Sequence, residues 1–304
     1  MARWTTSDIA SLGGRSFVVT GPGGLGFETG LALARAGGAV ILAGRDPTKG
    51  EASRDAIRAQ AGEADVRFER LDLASLASIR AFAERLAGQR ESLDVLVNNA
   101  GVMALPQRRI TADGFEMQLG TNHLGHFALT GLLLPLLRRG SSPRVVTVSS
   151  LAHRNGRIAF DDLQSERRYS GWRAYGQSKL ANLLFARELQ RRSDEEDWGI
   201  ASIAAHPGAS STDLMDNGPG RRSIAGRLAR LFAPLVFQSA ARGALPQLYA
   251  ATSPDAVPGG YYGPDGFSEM KGEPAAARRT MAARDDAVAA RLWAVSEELT
   301  GVRY

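Results

Sequence analysis

Arg15-Ser16-Phe17-Val18-Val19-Thr20, running into Gly21-Pro22-Gly23-Gly24-Leu25-Gly26, is the stretch whose reading decides the fold. Its first half is a short β-rich run, and its second half is a glycine turn that opens a helical pattern reaching Ala36. The same alternation continues outward. Residues 40–43 read as a strand, 47–61 as a helix, 66–71 as a strand and 75–87 as a helix. A fourth strand falls at 94–97, a long helix at about 113–138, a fifth strand at 144–148, a helix at 181–192 and a sixth strand at 200–205. Residues 278–299 read as a terminal helix. Alternation of this kind implies right-handed βαβ crossovers and a doubly wound parallel sheet, about seven strands in all, with helices on both faces. The strands are nearly all apolar, as burial on both sides demands. No Pro/Gly/Ser-rich linker interrupts the chain, so it reads as an N-terminal extension (1–13) and a single α/β domain (14–304).

Composition narrows the function. The net charge is +5, but the 37 basic residues, 34 Arg with Lys49, Lys179 and Lys271, are dispersed among acids. Such a surface is a solvated one, and nucleic acid is not expected as a partner. Cysteine is absent, which excludes disulfides, thiol nucleophiles and zinc–thiolate sites. The longest apolar stretch, 127–137, is broken by Thr130, Gly131 and Pro135 and is too short to cross a bilayer. The first residues carry no signal-peptide pattern. A cytoplasmic chain without a membrane anchor is the expectation.

Gly21-x-x-Gly24-x-Gly26, after a strand and before a helix, suits a dinucleotide pyrophosphate seated at a helix N-terminus. At the end of the second strand, where an acid marks NAD, stands Arg45, with the acid displaced to Asp46. That favours the 2′-phosphate of NADP, with NAD as the alternative. Tyr175 and Lys179, four apart, share a helix face. A phenol is a poor base at neutral pH, but a neighbouring cation favours its phenolate, so the pair reads as an acid–base element. Other candidates have plainer explanations. His123 and His126 lack a nearby carboxylate and read as buried structural histidines, not metal ligands, and no metal is expected. His153, three after Ser150, lacks the G-x-S-x-G elbow of a hydrolase. His206 reads as packing at a strand end.

The motifs in order resemble the short-chain dehydrogenase/reductase family, and within it the retinol-dehydrogenase-like branch. The matching pieces are Thr20-Gly21…Gly24-x-Gly26, Gly44-Arg45-Asp46-Pro47, Leu71-Asp72-Leu73, Asn98-Asn99-Ala100-Gly101, Thr121-Asn122-His123, Val148-Ser149-Ser150, Tyr175-x-x-x-Lys179 and His206-Pro207-Gly208…Thr212. The resemblance implies an NAD(P)-dependent oxidoreductase interconverting an alcohol and an aldehyde or ketone. It implies that Gly21, Gly24, Leu25 and Gly26 hold the cofactor phosphates, and that Asp72 and Leu73 pack at the adenine. Asn99, Ala100 and Gly101 touch the cofactor, and Pro207, Gly208 and Thr212 meet the nicotinamide. Asn122 holds a helix distortion and a proton relay, Ser150 binds the substrate oxygen, and Tyr175 exchanges its proton. Lys179 binds the ribose and lowers the Tyr175 pKa. Of the two serines, the resemblance selects the second.

One piece departs from the pattern: the glycine turn is one residue shorter than the family's, and Pro22 has no N–H to offer a phosphate. This motivates an alternative reading, a cofactor-binding or sensing relative with little catalysis. A sugar-nucleotide epimerase or dehydratase would use the same Tyr and Lys but needs a larger C-terminal substrate domain. The 213–245 segment, with Leu214, Met215, Phe232 and Phe237, is expected to cover a small lipophilic carbonyl or alcohol. The insert carrying Phe160, Tyr169 and Trp172 is either a wall of the site or a surface lobe. Assembly is left open between a homodimer and a homotetramer.

Overall fold

The computed structural model describes residues 3–210 and 238–304. Its centre is one sheet of eight strands in the order β3-β2-β1-β4-β5-β6-β7-β8. The strands are β1 (Ser16–Thr20), β2 (Ala39–Gly44), β3 (Val66–Arg70), β4 (Val95–Asn98), β5 (Arg144–Val148), β6 (Ala201–Ala205), β7 (Tyr261–Pro264) and β8 (Pro274–Ala276). β1 to β7 pair in parallel, and β8 joins the edge antiparallel. The expected parallel sheet is therefore present with one strand more than its approximate count. At three residues, β8 is too short to leave a pattern in the sequence.

Alternation along the strands explains the two-sided burial. Val18, Ile41, Leu96 and Val145 join one core cluster, with Phe82, Phe127, Phe185 and Trp293. Their neighbours Phe17, Val19, Val40, Leu42, Val95, Val97 and Val146 join the other, with Leu33, Ile57 and Leu248. Successive side chains point to opposite faces, so each strand serves both cores. The second core is covered by α1 (Leu25–Arg35), α2 (Pro47–Ala61) and, later in the chain, the helix Ala240–Thr252. The first is covered by α3 (Leu76–Gln89) and by the helices that follow it, named below. Asp94 pins the entry to β4, its carboxylate accepting from Ser16 N at 2.7 Å, Ser16 Oγ at 2.9 Å and Ser141 N at 2.6 Å.

Two helix readings change. The long helix expected at about 113–138 is α4 (Met117–Leu119), a π-helical turn (Gly120–Leu124) and α5 (Gly125–Leu137). Residues before Met117 are held instead in a turn, with Thr111 N donating to Phe115 O at 2.8 Å. The next helix, α6 (Gly171–Glu195), begins ten residues earlier than residue 181, so Tyr175 and Lys179 both lie inside it. After α7 (Ala240–Thr252), the terminal helix α8 (Asp286–Thr300) starts later than expected. Arg278 N instead donates to Glu269 Oε1 at 3.1 Å, residues 282–284 form a 3₁₀ turn, and Asp285 caps the helix by accepting from Val288 N at 3.0 Å.

All four histidines, His123, His126, His153 and His206, are buried. Burial holds His123 at about 3 and His126 at about 4, both far below the ordinary 6.5. The unfolded chain therefore takes up these protons near pH 6.5 while the folded chain refuses them, so stability is full above that pH and falls as the solution is acidified towards 4. Each site is worth about 1.4 kcal/mol per pH unit across this window. Urea unfolding at pH 5 should accordingly show a loss on the order of 3–4 kcal/mol relative to pH 7; equal midpoints would show that these imidazoles reach solvent.

Candidate active site

The carboxyl ends of the first six strands open on one cavity of about 1330 Å³. The strand order reverses between β1 and β4, and a crevice at that switch point is where open α/β sheets take ligands. An ordinary ligand pocket is roughly 300–1,000 Å³, so this one has room for a long molecule and a small one side by side.

One end of the cavity is the glycine turn. Gly21 sits at φ +82°, and a β-carbon on Gly26 would lie 1.7 Å from the Gly21 carbonyl oxygen. Only glycine at both positions lets the turn close. Helix α1 starts at Gly24 without a side-chain cap, which leaves its first turn turned towards the cavity. Thr20 Oγ1 accepts from Asn99 N and Ala100 N, both at 2.9 Å, and Asn99 Nδ2 donates to Thr20 O at 2.7 Å. The segments after β1 and β4 are thereby locked together. The shortened turn has its own support, because the Pro22 ring packs on Gly44, where a β-carbon would meet it at 2.6 Å.

Beyond Gly44 lie Arg45, Asp46 and Lys49. Asp46 is the cap of α2, its Oδ1 accepting from Lys49 N at 3.2 Å. Arg45 and Lys49 are exposed, and among the described residues neither takes part in an ion pair. Asp72 and Leu73 line the same end, Asp72 Oδ1 accepting from Ala74 N at 3.0 Å.

At the far end Tyr175, Ser150 and Lys179 converge. Ser150 caps a 3₁₀ turn (Leu151–Asn155), Oγ accepting from Ala152 N at 3.2 Å, and its side chain also hydrogen-bonds Tyr175. Ser149 is spent elsewhere, donating to the Lys179 carbonyl at 2.7 Å. That leaves Ser150 as the serine aimed at the site. Lys179 Nζ is 5.8 Å from the Tyr175 ring centre and donates to Val148 O at 3.0 Å. Burial lowers Lys179 to about 8, and it lifts the Tyr175 phenol, with the Ser150 hydrogen bond pulling the other way. In the free chain, then, the net shift of Tyr175 is upward, against the lowering expected from Lys179: burial outweighs the Ser150 hydrogen bond.

Asn122 lies within the π-helical turn, buried, with Oδ1 accepting from Val102 N at 2.8 Å and Nδ2 donating to Val102 O at 2.9 Å and Ser178 Oγ at 2.9 Å. Its main-chain carbonyl accepts from His126 Nδ1 at 3.0 Å, while His126 Nε2 meets Thr20 Oγ1 at 2.9 Å. A β-carbon on Gly101 would lie 3.0 Å from Asn122 Oδ1 and 3.6 Å from Lys179 Nζ, so a glycine is what lets the three come together.

The remaining expectations divide. Asn99, Ala100, Gly101, Pro207 and Gly208 line the cavity, and Asn98 does not, its side chain being turned to Thr130 at 3.0 Å. Thr212 and residues 213–237 lie outside the described residues; of the 213–245 segment, Ser239 caps α7. The insert does both things asked of it. Trp172 lines the cavity, edge-on to Tyr175 at 6.2 Å, whereas Phe160 lies under Arg291 at 4.0 Å, on the side of the terminal helix. His123 meets Ser296 of α8 at 2.9 Å. Lys49, a second cation four residues after Arg45, also lines the cavity, although the sequence argument for the 2′-phosphate rests on Arg45 alone. Glu269, which meets His206 Nε2 at 3.1 Å, has no sequence signal at all, since 63 residues separate the two.

A family model for short chain dehydrogenases matches residues 15–219. The chain belongs to that family. Within the family its likeness is to the retinol dehydrogenases. Retinol dehydrogenase 12 of Mus musculus is 43% identical over 96% of this chain and 88% of its own length. Retinol dehydrogenase 13 of Homo sapiens is 42% identical over 96% of this chain and 86% of its own. Among solved structures, an uncharacterized protein from Mycobacterium Paratuberculosis aligns with a TM-score of 0.83 and 43% identity, over 100% of this chain and 99% of that one. The Pseudomonas aeruginosa RhlG/NADP complex aligns at 0.65 with 25% identity, over 83% and 94%. The family member described here is an oxidoreductase acting on CH–OH groups. Among the described residues, no helix is long and apolar enough to cross a membrane.

Proposed function

We propose that this chain interconverts a small lipophilic alcohol and its aldehyde or ketone, in the cytoplasm and within one domain (14–304), with NADPH preferred over NADH. The observation that carries the reading is the convergence of Tyr175, Ser150 and Lys179 on a cavity whose other end is the glycine turn. A cradle that a β-carbon on Gly26 would fill, and a helix start turned towards it, fit a dinucleotide. The bound nicotinamide supplies or accepts the hydride. The chain's own residues handle the proton. Ser150 and Tyr175 donate to the substrate oxygen, where charge develops on reduction. Burial keeps the Tyr175 phenol protonated in the resting chain, so it is set to give its proton to a nascent alkoxide. The Lys179 ammonium beside it favours the phenolate left behind.

In this reading Gly21, Gly24, Leu25 and Gly26 hold the phosphates, and Asp72 and Leu73 take the adenine. Asn99 to Gly101, Pro207, Gly208 and Thr212 meet the nicotinamide half. Lys179 also binds the ribose, and Asn122 with its π-turn carries the proton relay. Met103, Leu151 and Trp172 supply an apolar wall, in keeping with relatives named for retinol.

The preference for NADPH rests on the end of β2. Asp46, the acid that could accept from a ribose hydroxyl, is already engaged as the α2 cap, and two exposed cations, Arg45 and Lys49, flank it. The NADP complex of a relative is in keeping with this. Fluorescence titration should give an NADPH dissociation constant about tenfold or more below that of NADH, and the double substitution Arg45→Ser, Lys49→Ser should remove about that much of the difference. Equal affinity of the wild type for both nucleotides would refute the preference.

A further inference from the structure

His206 precedes the Pro207–Gly208 turn, and its two ring nitrogens are engaged in opposite senses. Gly208 N donates to Nδ1 at 3.1 Å, so Nδ1 carries no proton, and Nε2 faces Glu269 Oε2 at 3.1 Å as the donor. The ring is thus neutral and held as the Nε2–H tautomer. It packs against Gly263 of β7, where a β-carbon would sit 1.9 Å from Nε2. The same Glu269 oxygen also takes Arg154 at 2.9 Å, on the 3₁₀ turn that follows Ser150. Arg154 donates in addition to the Ser268 carbonyl at 3.3 Å, and Ala209 N donates to Met270 O at 2.8 Å. One carboxylate therefore joins the wall that carries Ser150 to the turn expected at the nicotinamide.

The groups facing His206 are Glu269, Arg154 and the ring of Tyr261, 5.3 Å away, with His153 behind it. Burial pushes the Glu269 carboxyl up, but the hydrogen bonds from His206 and from Arg278 N and the Arg154 charge outweigh it and hold the group at about 2. Burial likewise keeps His206 below its ordinary value. Ser268 and Glu269 both adopt left-handed backbone, at φ 52° and 61°. Two consecutive non-glycine residues there are strained, and this conformation goes with the carboxylate reaching His206 Nε2.

We infer that Glu269 is a positioning residue: by accepting from His206 Nε2–H and from Arg154 together, it fixes the tautomer whose Nδ1 holds the Gly208 N–H, and so sets the cofactor turn against the Ser150 wall. The inference rests on the reading that Pro207 and Gly208 meet a nicotinamide dinucleotide. Its test is the pair Glu269→Ala and Glu269→Gln, the latter keeping an acceptor for Nε2–H. Two-bond ¹⁵N–¹H correlation of the histidine side chains, in the protein alone, should give a pure Nε2–H pattern for His206 in the wild type. That pattern should be lost in E269A and largely kept in E269Q. The NADPH dissociation constant should rise about tenfold in E269A and about threefold or less in E269Q, with kcat at saturating NADPH within about threefold of wild type in both, since one hydrogen bond to a charged group is at stake. An unchanged His206 pattern and unchanged NADPH affinity in E269A would overturn the inference while leaving the proposed function standing. Failure of the wild type to bind either nucleotide would instead bring down the functional reading, and the cofactor-turn role with it.

Discussion

Replacing Tyr175 by Phe is expected to lower kcat by about a thousandfold or more, in line with the 10²–10⁴ that a positioned proton donor supplies, and to leave the NADPH dissociation constant within about threefold. The geometry separates the two effects. The ring of Tyr175 packs beside Trp172 and near Lys179 Nζ, contacts a phenylalanine ring preserves. What it removes is the hydroxyl joined to Ser150. With Ser150 alone left to meet a developing alkoxide, the substrate oxygen has a hydrogen bond but no proton source, so single-turnover reduction of a carbonyl should fail at the chemical step and not at binding. The measurement is pre-steady-state NADPH oxidation alongside equilibrium titration. Turnover undiminished in the variant would place the proton elsewhere. A wild type that binds NADPH tightly yet reduces nothing across a broad carbonyl panel would favour the sensing alternative that the shortened glycine turn first suggested.

How much of this was legible in the sequence depends on how far the information travels along the chain. Six of the sheet's eight strands were legible, because most are local apolar runs set between helical stretches; β7 and β8 are short and left no such run. The helix expected at 47–61 stands at those bounds as α2, with Asp46 as its cap. The Tyr175–Lys179 pair was legible as four-residue spacing, although the helix starts at Gly171. The choice between Ser149 and Ser150 came from resemblance alone; that Ser149 donates to the Lys179 carbonyl 30 residues on could be read only from coordinates. The helix distortion at Asn122 was foreseen from resemblance alone; the π-turn breaks no periodicity strongly enough to be seen, because Gly120 to Leu137 stay buried on almost every side. Apolar all round, that segment carries no phase from which an extra residue could be detected. The terminal helix starts late for a different reason: its pattern runs back through Arg278, but Arg278 N donates to Glu269 Oε1 at 3.1 Å and residues 282–284 form a 3₁₀ turn, features that have no local signal. Glu269 lay furthest out of reach. It depends on a left-handed backbone pair and on an edge strand, neither of which has a local signature.

Gly26→Ala is expected to cost about 2–4 kcal/mol of stability, the range for strain that backbone cannot relieve, and to weaken NADPH binding by about a hundredfold or more, as loss of several phosphate-directed N–H groups would. Helix propensity alone argues the opposite, since Ala is better than Gly inside a helix by about 1 kcal/mol. Geometry decides between them. The added methyl would lie 1.7 Å from the Gly21 carbonyl oxygen and 2.8 Å from Asn99 Nδ2. Neither neighbour can yield cheaply. Gly21 N donates to Ala43 O at 2.8 Å, and Asn99 Nδ2 donates to Thr20 O at 2.7 Å, so the turn is tied to β2 on one side and to the end of β4 on the other. Gly88, in α3, supplies the control: a β-carbon there meets nothing within 4 Å, and Gly88→Ala should be neutral or stabilising by up to about 1 kcal/mol. Urea unfolding and NADPH titration of the two variants side by side distinguish a tight cradle from ordinary helix composition. If Gly26→Ala behaved like Gly88→Ala, the glycine turn would be a plain strand–helix connection, and the phosphate-binding role assigned to it would fall. A loss of affinity larger than the loss of stability explains would instead tie the conformation of Gly21 to Gly26 to the cofactor, in a turn that is one residue short of the family's usual length.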